Sequence, residues 1–332
     1  MVATVPRSQE VAPPKRTCDL GSTGATAYAT GRLMGTDCQI RATCTTPREA
    51  LTAVDVGWQG VSECEQLWTR FRTDSELSHL NNTSVKDAAA TTVSERMAAL
   101  IAAMLWAYDF SDGWVDASLL PEVIAAGYDR DFAEIAAAQG ADVGFDVAPS
   151  EPAAARSYRS GMRSVSLEGT QLLRTASVQL DSGGVGKGLA ADLVAESLIA
   201  GGAHGALVDL GCDIRAIGVD QHDRPWTVRA ADERDPHSAA VAEWDVTDAG
   251  IATSSVARRR WKGGHHLIDP HTGVPSETDL LAVTVVHRNA LTAEVAAKTA
   301  LLMGRHASVG WLAQHGATAV LTGRDGSLYR VG

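Results

Sequence analysis

The sequence lacks any long hydrophobic run. No apolar segment approaches the roughly 18 residues that a membrane-spanning helix requires. The first residues, MVATVPRSQEVAPPKRTCDLG, contain no apolar core of a secretory signal, and Cys18 follows proline and basic residues rather than the apolar stretch of a lipoprotein signal. These absences predict a chain without a membrane span that resides in the cytoplasm.

Cysteine is scarce and irregularly placed. The chain of 332 residues has five cysteines, an odd number without the spacing of a metal site: Cys18, Cys38, Cys44, Cys64 and Cys212. In a chain of this size such cysteines are typical of reduced thiols in a cytoplasm. The sequence therefore argues against a zinc site and against a disulfide framework.

Positive charge is also in deficit. Lysine and arginine total 29 against 40 acidic residues, which gives a net charge of −11. Nonspecific nucleic-acid binding depends on neutralising phosphates, so the sequence predicts no nucleic-acid partner. An anionic ligand would need a local cluster of cations.

The composition, 45% hydrophobic and 21% charged, is that of a globular protein long enough for a large core.

Helical and strand patterns follow one another without an internal repeat and without regular β-α-β alternation, which predicts an α+β fold. Proline, serine, threonine and charge dominate residues 1–27, so we predict a disordered tail there and one domain over 28–332. Apolar spacing predicts helices over 47–71, 94–113, 132–140, 186–203 and 290–304. Strands are predicted within 29–44, 164–169, 177–180, 204–218, 225–233, 242–255 and 280–287, with a final hairpin over 316–332.

A glycine-rich stretch, DSGGVGKGLAADL at 181–193, leads directly into a predicted helix. Glycines allow close approach of the backbone, the amino end of a helix favours anions, and Lys187 would add a charge, so the stretch could hold a phosphate. The alternative is a strand-to-helix turn with positive φ, in which Asp181 caps the backbone. The pattern fits neither the Walker loop nor the dinucleotide fingerprint, and both interpretations stay open.

A second cluster, HHLIDPHTGVP at 265–275, places His266 and Asp269 in a loop closed by proline and glycine. Histidine is the usual general base near neutral pH, whereas the alternative is a rigid surface turn.

Two further features are ambiguous. The segment SSVARRRWKGG at 254–264 is either a pyrophosphate-attracting patch or a solvated basic face. Glu294 and Lys298 lie four residues apart on a helix, which by itself indicates a surface ion pair.

Taken in order, these segments resemble the motifs of the ApbE family, the FAD:protein FMN transferases. The likeness runs from about residue 33 to the carboxyl end. The pattern D-x-G-G-[IV]-[AG]-K-G-x-A-x-D matches 181–192, N-L-G-G-[ND]-I-R-A-x-G matches 209–218 with Cys212 for a glycine, A-T-S-G matches 252–255, and H-x-[IL]-[DN]-P-x-T-G-x-P matches 266–275. Shorter similar stretches are MGT at 34–36, DSELSHLN at 74–81 and GWVDAS at 113–118.

The resemblance implies an α+β fold of two lobes, with mixed or antiparallel sheets and FAD in the cleft between the lobes. A Thr or Ser hydroxyl of an acceptor protein, within a short Asp-x-x-[Thr/Ser] motif, would attack the FMN phosphorus and AMP would leave. His266 and Lys187 would be the catalytic residues. The implied FAD contacts are Met34, Thr69, Arg70, Phe71, Trp114, Val115, Asp116, Asp181, Lys187 and Ile268.

The resemblance also implies Mg²⁺ beside the pyrophosphate, with the Gly184 carbonyl and Glu294 as ligands. Here the chain departs from the family, because Lys298 stands where the family has a threonine ligand. Two arrangements stay open. Glu294 and waters hold a weaker Mg²⁺, or Lys298 replaces the metal with one fixed positive charge and itself faces the cofactor.

Three functions follow from these arrangements. The first is FMN transfer to a protein. The alternatives are an FAD-binding protein without transferase activity and an FAD pyrophosphatase that gives FMN and AMP.

Overall fold

The computed structural model describes residues 13–83, 90–139, 158–175, 178–235, 238–262 and 264–332. The strands are β1 Lys15–Leu20, β2 Ala25–Leu33, β3 Thr36–Cys44, β4 Thr91–Thr92, β5 Val165–Glu168, β6 Gln171–Arg174, β7 Gly205–Leu210, β8 Asp213–Gly218, β9 Trp226–Ala230, β10 Ala242–Val246, β11 Asp248–Ser255, β12 Arg260–Trp261, β13 Gly264–His265, β14 Ile268–Asp269, β15 Val274–Pro275, β16 Leu280–His287, β17 Thr318–Gly323 and β18 Leu328–Val331. The helices are α1 Pro47–Trp68, α2 Glu76–Asn82, α3 Glu95–Phe110, α4 Leu120–Ala125, α5 Phe132–Gln139, α6 Gly186–Ala200 and α7 Ala290–Gln314.

One nine-stranded sheet organises the molecule, in the order β1-β2-β3-β7-β8-β11-β16-β17-β18. Every neighbouring pair in it is antiparallel. Helices α1, α6 and α7 pack against this sheet, and α3 packs on those helices. The main hydrophobic core lies between the sheet and this helical layer. The β9–β10 hairpin contributes Trp226 and Val228 to a separate cluster with β7, β8 and β11.

Local sequence signals explain why the helices begin where they do. Helix α1 starts with a capping box, in which the Thr46 hydroxyl accepts from the Glu49 N–H and the Glu49 carboxylate accepts from the Thr46 N–H. Pro47 occupies the first turn, where its missing N–H costs nothing. The buried residues of α1 recur at helical spacing: Ala50, Val54, Gly57, Trp58, Val61, Cys64 and Trp68.

A smaller lobe has its own core, formed by segments from distant parts of the chain. Leu119 and Val123 of the α4 region pack with Tyr128, Trp261 and Ile268, and Ile135 of α5 completes the cluster. The Trp261 indole donates to the Ala126 carbonyl at 2.8 Å, which ties β12 to the end of α4. The α+β class, the antiparallel sheets and the two-lobed arrangement agree with the prediction.

Three predictions about local structure are corrected. The prediction of a disordered tail over 1–27 is wrong at β1, which pairs with β2 through backbone hydrogen bonds. Because most residues of β1 are exposed, they form no hydrophobic pattern in the sequence. Residues 1–12 lie outside the described part of the chain. The stretch 204–218 is the β7–β8 hairpin rather than one strand. Residues 178–180 form no strand, and Leu180 instead exchanges hydrogen bonds with the Asn81 amide.

None of the described helices is long and apolar enough to cross a membrane. All five cysteines are free. Part of the turn-rich stretch after α5, residues 140–157, lies outside the described residues.

Candidate active site

A cavity of about 1870 Å³ lies where the helical layer meets the smaller lobe. It exceeds the roughly 300–1,000 Å³ of a pocket for a drug-sized ligand, so it has room for a dinucleotide. Residues from six separate segments that the sequence singled out line it together: Met34, Thr69, Arg70, Phe71, Trp114, Val115, Asp116, Asp181, Gly184, Lys187, His266, Ile268 and Lys298. Glu294 is not among the lining residues; its side chain is buried behind them.

The glycine-rich stretch builds one wall of the cavity. Asp181 caps the short 3₁₀ turn Ser182–Gly184 by accepting from the Gly183 N–H at 2.9 Å, and α6 begins at Gly186. No glycine of this stretch has a positive φ, so the turn interpretation is wrong on that point. Asp181 does cap the backbone, as that interpretation expected.

Gly188 has a packing role that the sequence did not reveal. A Cβ there would come within 2.7 Å of the Ala290 carbonyl oxygen and 2.8 Å of the Leu291 Cα. The missing side chain lets α6 approach the amino end of α7. Asp192, one turn further along α6, secures the same contact by accepting from the N–H groups of Ala290 and Leu291 at 2.8 and 2.9 Å.

We therefore expect Gly188→Ala to lower the free energy of unfolding by about 1–3 kcal/mol, because the new methyl group meets rigid backbone. Gly310→Ala is the matched control, since nothing lies within 4 Å of a Cβ at that position of α7. It should leave stability unchanged or raise it by up to about 1 kcal/mol. Urea denaturation of the two variants decides the matter, and equal stability would contradict the packing account.

A cluster of buried charges lies beneath the glycine-rich wall. The Lys187 ammonium forms an ion pair with Asp213 and lies 3.6 Å from Glu294 Oε1. Glu294 Oε2 accepts from the Gly188 N–H at 2.8 Å. The Lys298 ammonium donates to the Gly183 carbonyl at 2.9 Å and lies 3.8 Å from Glu294 Oε1. Glu294 and Lys298 are thus a buried pair at the cavity wall, not the surface pair that helical spacing alone suggests.

This cluster changes the expected role of Lys187. Its charge is already compensated by Asp213, which is 2% exposed, and by Glu294. Burial lowers the pKa of Lys187, and the Glu294 carboxylate opposes that shift. Burial likewise lowers the pKa of Lys298, and the Glu294 carboxylate again opposes the shift. Lys187 lines the cavity, but the structure gives its ammonium a partner in the protein.

The residues do not fit the Mg²⁺ that the resemblance implies. Mg²⁺ requires oxygen ligands in near-octahedral geometry, and a charged lysine has no lone pair to offer. Both Glu294 oxygens face N–H donors or ammonium groups, and the neighbouring Gly183 carbonyl is bonded to Lys298. Across the described ranges, no cluster of three histidine, cysteine or acidic residues could hold a metal. Glu294 is therefore not available as the expected ligand.

An arginine and two aromatic rings form another part of the wall. The Arg70 guanidinium lies over the rings of Phe71 and Tyr128, at 4.2 and 4.7 Å, and donates to the Tyr128 carbonyl at 2.7 Å. Its Nε lies 3.5 Å from Asp181 Oδ2. Arg70 is thereby held in place with its charge balanced. The Phe71 ring stays 39% exposed and offers an apolar face to a ligand.

His266 enters the cavity from the loop that joins the β12–β13 and β14–β15 hairpins. The buried His265 side chain anchors this loop, with Nε2 lying 3.0 Å from the Ser276 carbonyl. The His266 Nδ1 atom is buried and has no hydrogen-bond partner among the described residues. Burial, followed by the positive charge of Arg259, lowers the pKa of His266 well below its ordinary value of 6.5. Asp269 contacts His271 at 3.2 Å rather than His266.

Other predicted residues reach the cavity with their polar groups engaged. Asp116 is 8% exposed, and its carboxylate accepts from Ser118 and from the Tyr158 hydroxyl. The backbone of Met34 has φ of 51° and donates its N–H to Glu65 at 2.8 Å. Thr69 accepts from the Phe71 N–H at 3.2 Å. These interactions fix the shape of the wall, and direct contact with a cofactor stays a prediction for each.

In the basic segment at 254–264, different arginines fit the two interpretations that the sequence left open. Arg258 pairs with Glu233 at 2.7 Å, away from the cavity, whereas Arg259 lines it. Arg259 has φ of 46°, the left-handed region, which turns the chain so that successive side chains face different surroundings. The sequence missed Asp213 as the partner of Lys187, although it occupies the Asn/Asp position of the 209–218 motif.

Comparison with known proteins decides the family. The family model described as the ApbE family matches residues 34–322, most of the chain. The chain belongs to the ApbE family. Two ApbE structures share the fold: the flavin transferase ApbE from Vibrio cholerae, with a TM-score of 0.73, 22% identity and coverage of 92% of this chain and 97% of that one, and the ApbE protein from Thermotoga maritima, with a TM-score of 0.74, 19% identity and coverage of 92% and 96%.

Two relatives of this ApbE protein have the same functional name. The FAD:protein FMN transferase of Treponema pallidum is 28% identical over 318 residues, which cover 89% of this chain and 85% of that protein. The FAD:protein FMN transferase of Salmonella typhimurium is 28% identical over 234 residues, which cover 69% and 64%.

Proposed function

We propose that this ApbE protein is an FAD:protein FMN transferase, an enzyme that moves FMN from FAD to a Thr or Ser hydroxyl of an acceptor protein and releases AMP. The observation that carries the proposal is that the residues which the resemblance assigns to FAD come from five separate segments and line one cavity of dinucleotide size. The family membership and the names of the relatives support it.

FMN transfer is a substitution at the FMN phosphorus. The acceptor O–H bond breaks, its oxygen forms a bond to the FMN phosphorus, and the bond from that phosphorus to the bridging oxygen of the pyrophosphate breaks. AMP leaves with the electron pair, and the hydroxyl proton is released. Phosphoryl transfer of this kind depends on positioning and on stabilising negative charge more than on covalent help from the enzyme.

His266 is proposed to take the hydroxyl proton as general base. Its buried Nδ1 has no partner in the described protein, and its lowered pKa keeps the ring neutral at physiological pH. A neutral imidazole accepts a proton without first losing one. Phe71 and Trp114 are proposed to contact the isoalloxazine or adenine rings, as apolar surfaces of the same cavity.

The pH dependence of transfer follows from the direction of this shift. A base with a lowered pKa stays neutral, and therefore active, as the pH falls through 6.5, the ordinary histidine value. We expect the rate under single-turnover conditions to show its acid limb below that pH. An acid limb at or above the ordinary value that is absent from a His266→Asn variant would contradict the lowered pKa of His266, and an acid limb that persists unchanged in that variant would contradict its assignment as the base.

Two alternatives would also use an FAD site: a flavin-binding protein without transfer, and a pyrophosphatase. Neither is favoured, because the relatives are named as transferases. The cytoplasmic location and the Asp-x-x-[Thr/Ser] acceptor motif stay predictions.

Chromatography of AMP separates the three functions. The purified protein is incubated with FAD, with and without a protein domain that carries the acceptor motif. Transfer predicts AMP only when the acceptor is present. AMP without acceptor indicates hydrolysis, and bound FAD with no AMP under either condition indicates a binding protein.

A further inference from the structure

We propose that the Lys298 ammonium replaces the divalent cation of this site, so that the protein binds the FAD pyrophosphate without a metal. The inference rests on the proposed function, because it assumes that the cavity holds FAD. It concerns how the negative charge of the pyrophosphate is balanced, and it predicts that the affinity for FAD does not depend on Mg²⁺.

The position of the ammonium is the first argument. Lys298 lies on α7, and its side chain is 13% exposed at the cavity wall. Its Nζ is held by the Gly183 carbonyl at 2.9 Å on one side and faces Glu294 Oε1 at 3.8 Å on the other. An ammonium has three N–H donors, and the Gly183 carbonyl accepts one of them at hydrogen-bond distance, so donors remain for a phosphate oxygen. The charge is thus fixed in direction before a ligand enters.

Occupation of the oxygen atoms is the second argument. A Mg²⁺ ion at this place would compete for the carboxylate of Glu294 and for the Gly183 carbonyl, which already face N–H or ammonium groups. Glu294 Oε2 is bonded to the Gly188 N–H, and Oε1 faces both Lys187 and Lys298. A dication at this place would displace the ammonium or lie beside it, and like charges at such short range repel strongly.

Arg259 supplies the third argument. It lines the same cavity, and within the described part of the chain it has no ion-pair partner, in contrast to its neighbour Arg258. The electrostatic effect of Arg259 reaches Lys187, His266 and Lys298. Lys187, Lys298 and Arg259 bring three positive charges to this wall, against the two negative charges of Asp213 and Glu294. These five groups leave one positive charge in excess, which attracts the pyrophosphate and disfavours a further cation.

The test compares wild type with Lys298→Thr, and Lys262→Thr is the matched control. Lys262 is exposed, and the control makes the same substitution with the same change in net charge. FAD affinity is measured by flavin fluorescence in excess EDTA and in excess MgCl₂. Binding of Mn²⁺ in the presence of FAD is measured by electron paramagnetic resonance, and thermal denaturation shows that each variant is folded.

For wild type and for Lys262→Thr, we expect the same FAD affinity in EDTA and in MgCl₂, and no FAD-dependent Mn²⁺ binding. Lys298→Thr should bind FAD roughly tenfold to a hundredfold more weakly in EDTA, as expected for loss of a hydrogen bond from a charged group. MgCl₂ should restore part of that affinity, because threonine provides an oxygen and its introduction frees the Gly183 carbonyl and removes one of the two ammonium groups beside Glu294 Oε1. Lys298→Arg keeps the positive charge and should therefore keep the metal-independent affinity. It serves as the control for a Lys298→Thr variant that loses affinity only because it is misfolded.

Wild-type binding that is lost in EDTA and regained with Mg²⁺ would overturn the proposal. So would a folded Lys298→Thr variant with undiminished affinity in EDTA. Failure of the transferase function would look different: metal-independent FAD binding that depends on Lys298, together with no FMN transfer under any condition. That result would support the role of Lys298 and reject the proposed reaction.

Discussion

Replacement of His266 by alanine is expected to slow FMN transfer by about 10²–10⁴-fold, the contribution typical of a general base. The affinity for FAD should change little, because the imidazole is placed to accept the proton of the hydroxyl and not to hold the pyrophosphate. The measurement is single-turnover transfer from FAD to the acceptor domain, with FAD affinity determined on the same preparations.

His306→Ala is the control for this experiment. His306 is an exposed residue of α7 outside the cavity, and its removal should leave the transfer rate unaffected. A His266→Ala enzyme that transfers FMN at the wild-type rate would exclude His266 as the base. Parallel loss of transfer and of FAD binding would indicate that the histidine shapes the cavity instead.

Lys187→Ala is expected to lower the free energy of unfolding by about 3–5 kcal/mol, the usual cost of leaving a buried charge without its partner. The reason is that Asp213 and Glu294, each 2% exposed, both face this ammonium. Weakened FAD binding should follow, but as a consequence of the damaged wall. Urea denaturation in the absence of FAD measures the stability effect directly.

A double-mutant cycle with Asp213→Asn tests the cause. If the ion pair accounts for the loss, the double variant should be more stable than the sum of the two single effects predicts. Lys262→Ala, at an exposed position, should remain close to wild type. A Lys187→Ala protein as stable as wild type, with only FAD binding impaired, would show that Lys187 serves the ligand and not the fold.

Local signals in the sequence predicted much of the fold. The capping box at Thr46 and the apolar spacing of α1 are determined within one segment, as are the patterns of α3, α6 and the final hairpin. The edge strand β1 escaped prediction because its side chains are mostly exposed and only backbone hydrogen bonds hold it.

The sequence predicted which residues belong to the site, but not how their atoms pair. The predicted site residues other than Glu294 all line one cavity, and their contact with FAD stays a prediction. Which atoms pair within it depends on contacts between α6, β8 and α7 that no single segment encodes. Spacing alone suggested that Glu294 and Lys298 form an exposed pair, whereas the approach of α6 at Gly188 buries both beside Gly183. The ion pair of Lys187 with Asp213 likewise joins residues that are distant in the chain.

The central claim is tested most directly by mass spectrometry of the acceptor domain after incubation with this protein and FAD. The account predicts that the acceptor gains the mass of FMN less one water, on the Thr or Ser of its motif, with one AMP released for each modification. A Thr→Ala or Ser→Ala acceptor should gain nothing. An unmodified acceptor in the presence of bound FAD, or AMP that appears while the acceptor mass stays the same, would contradict it.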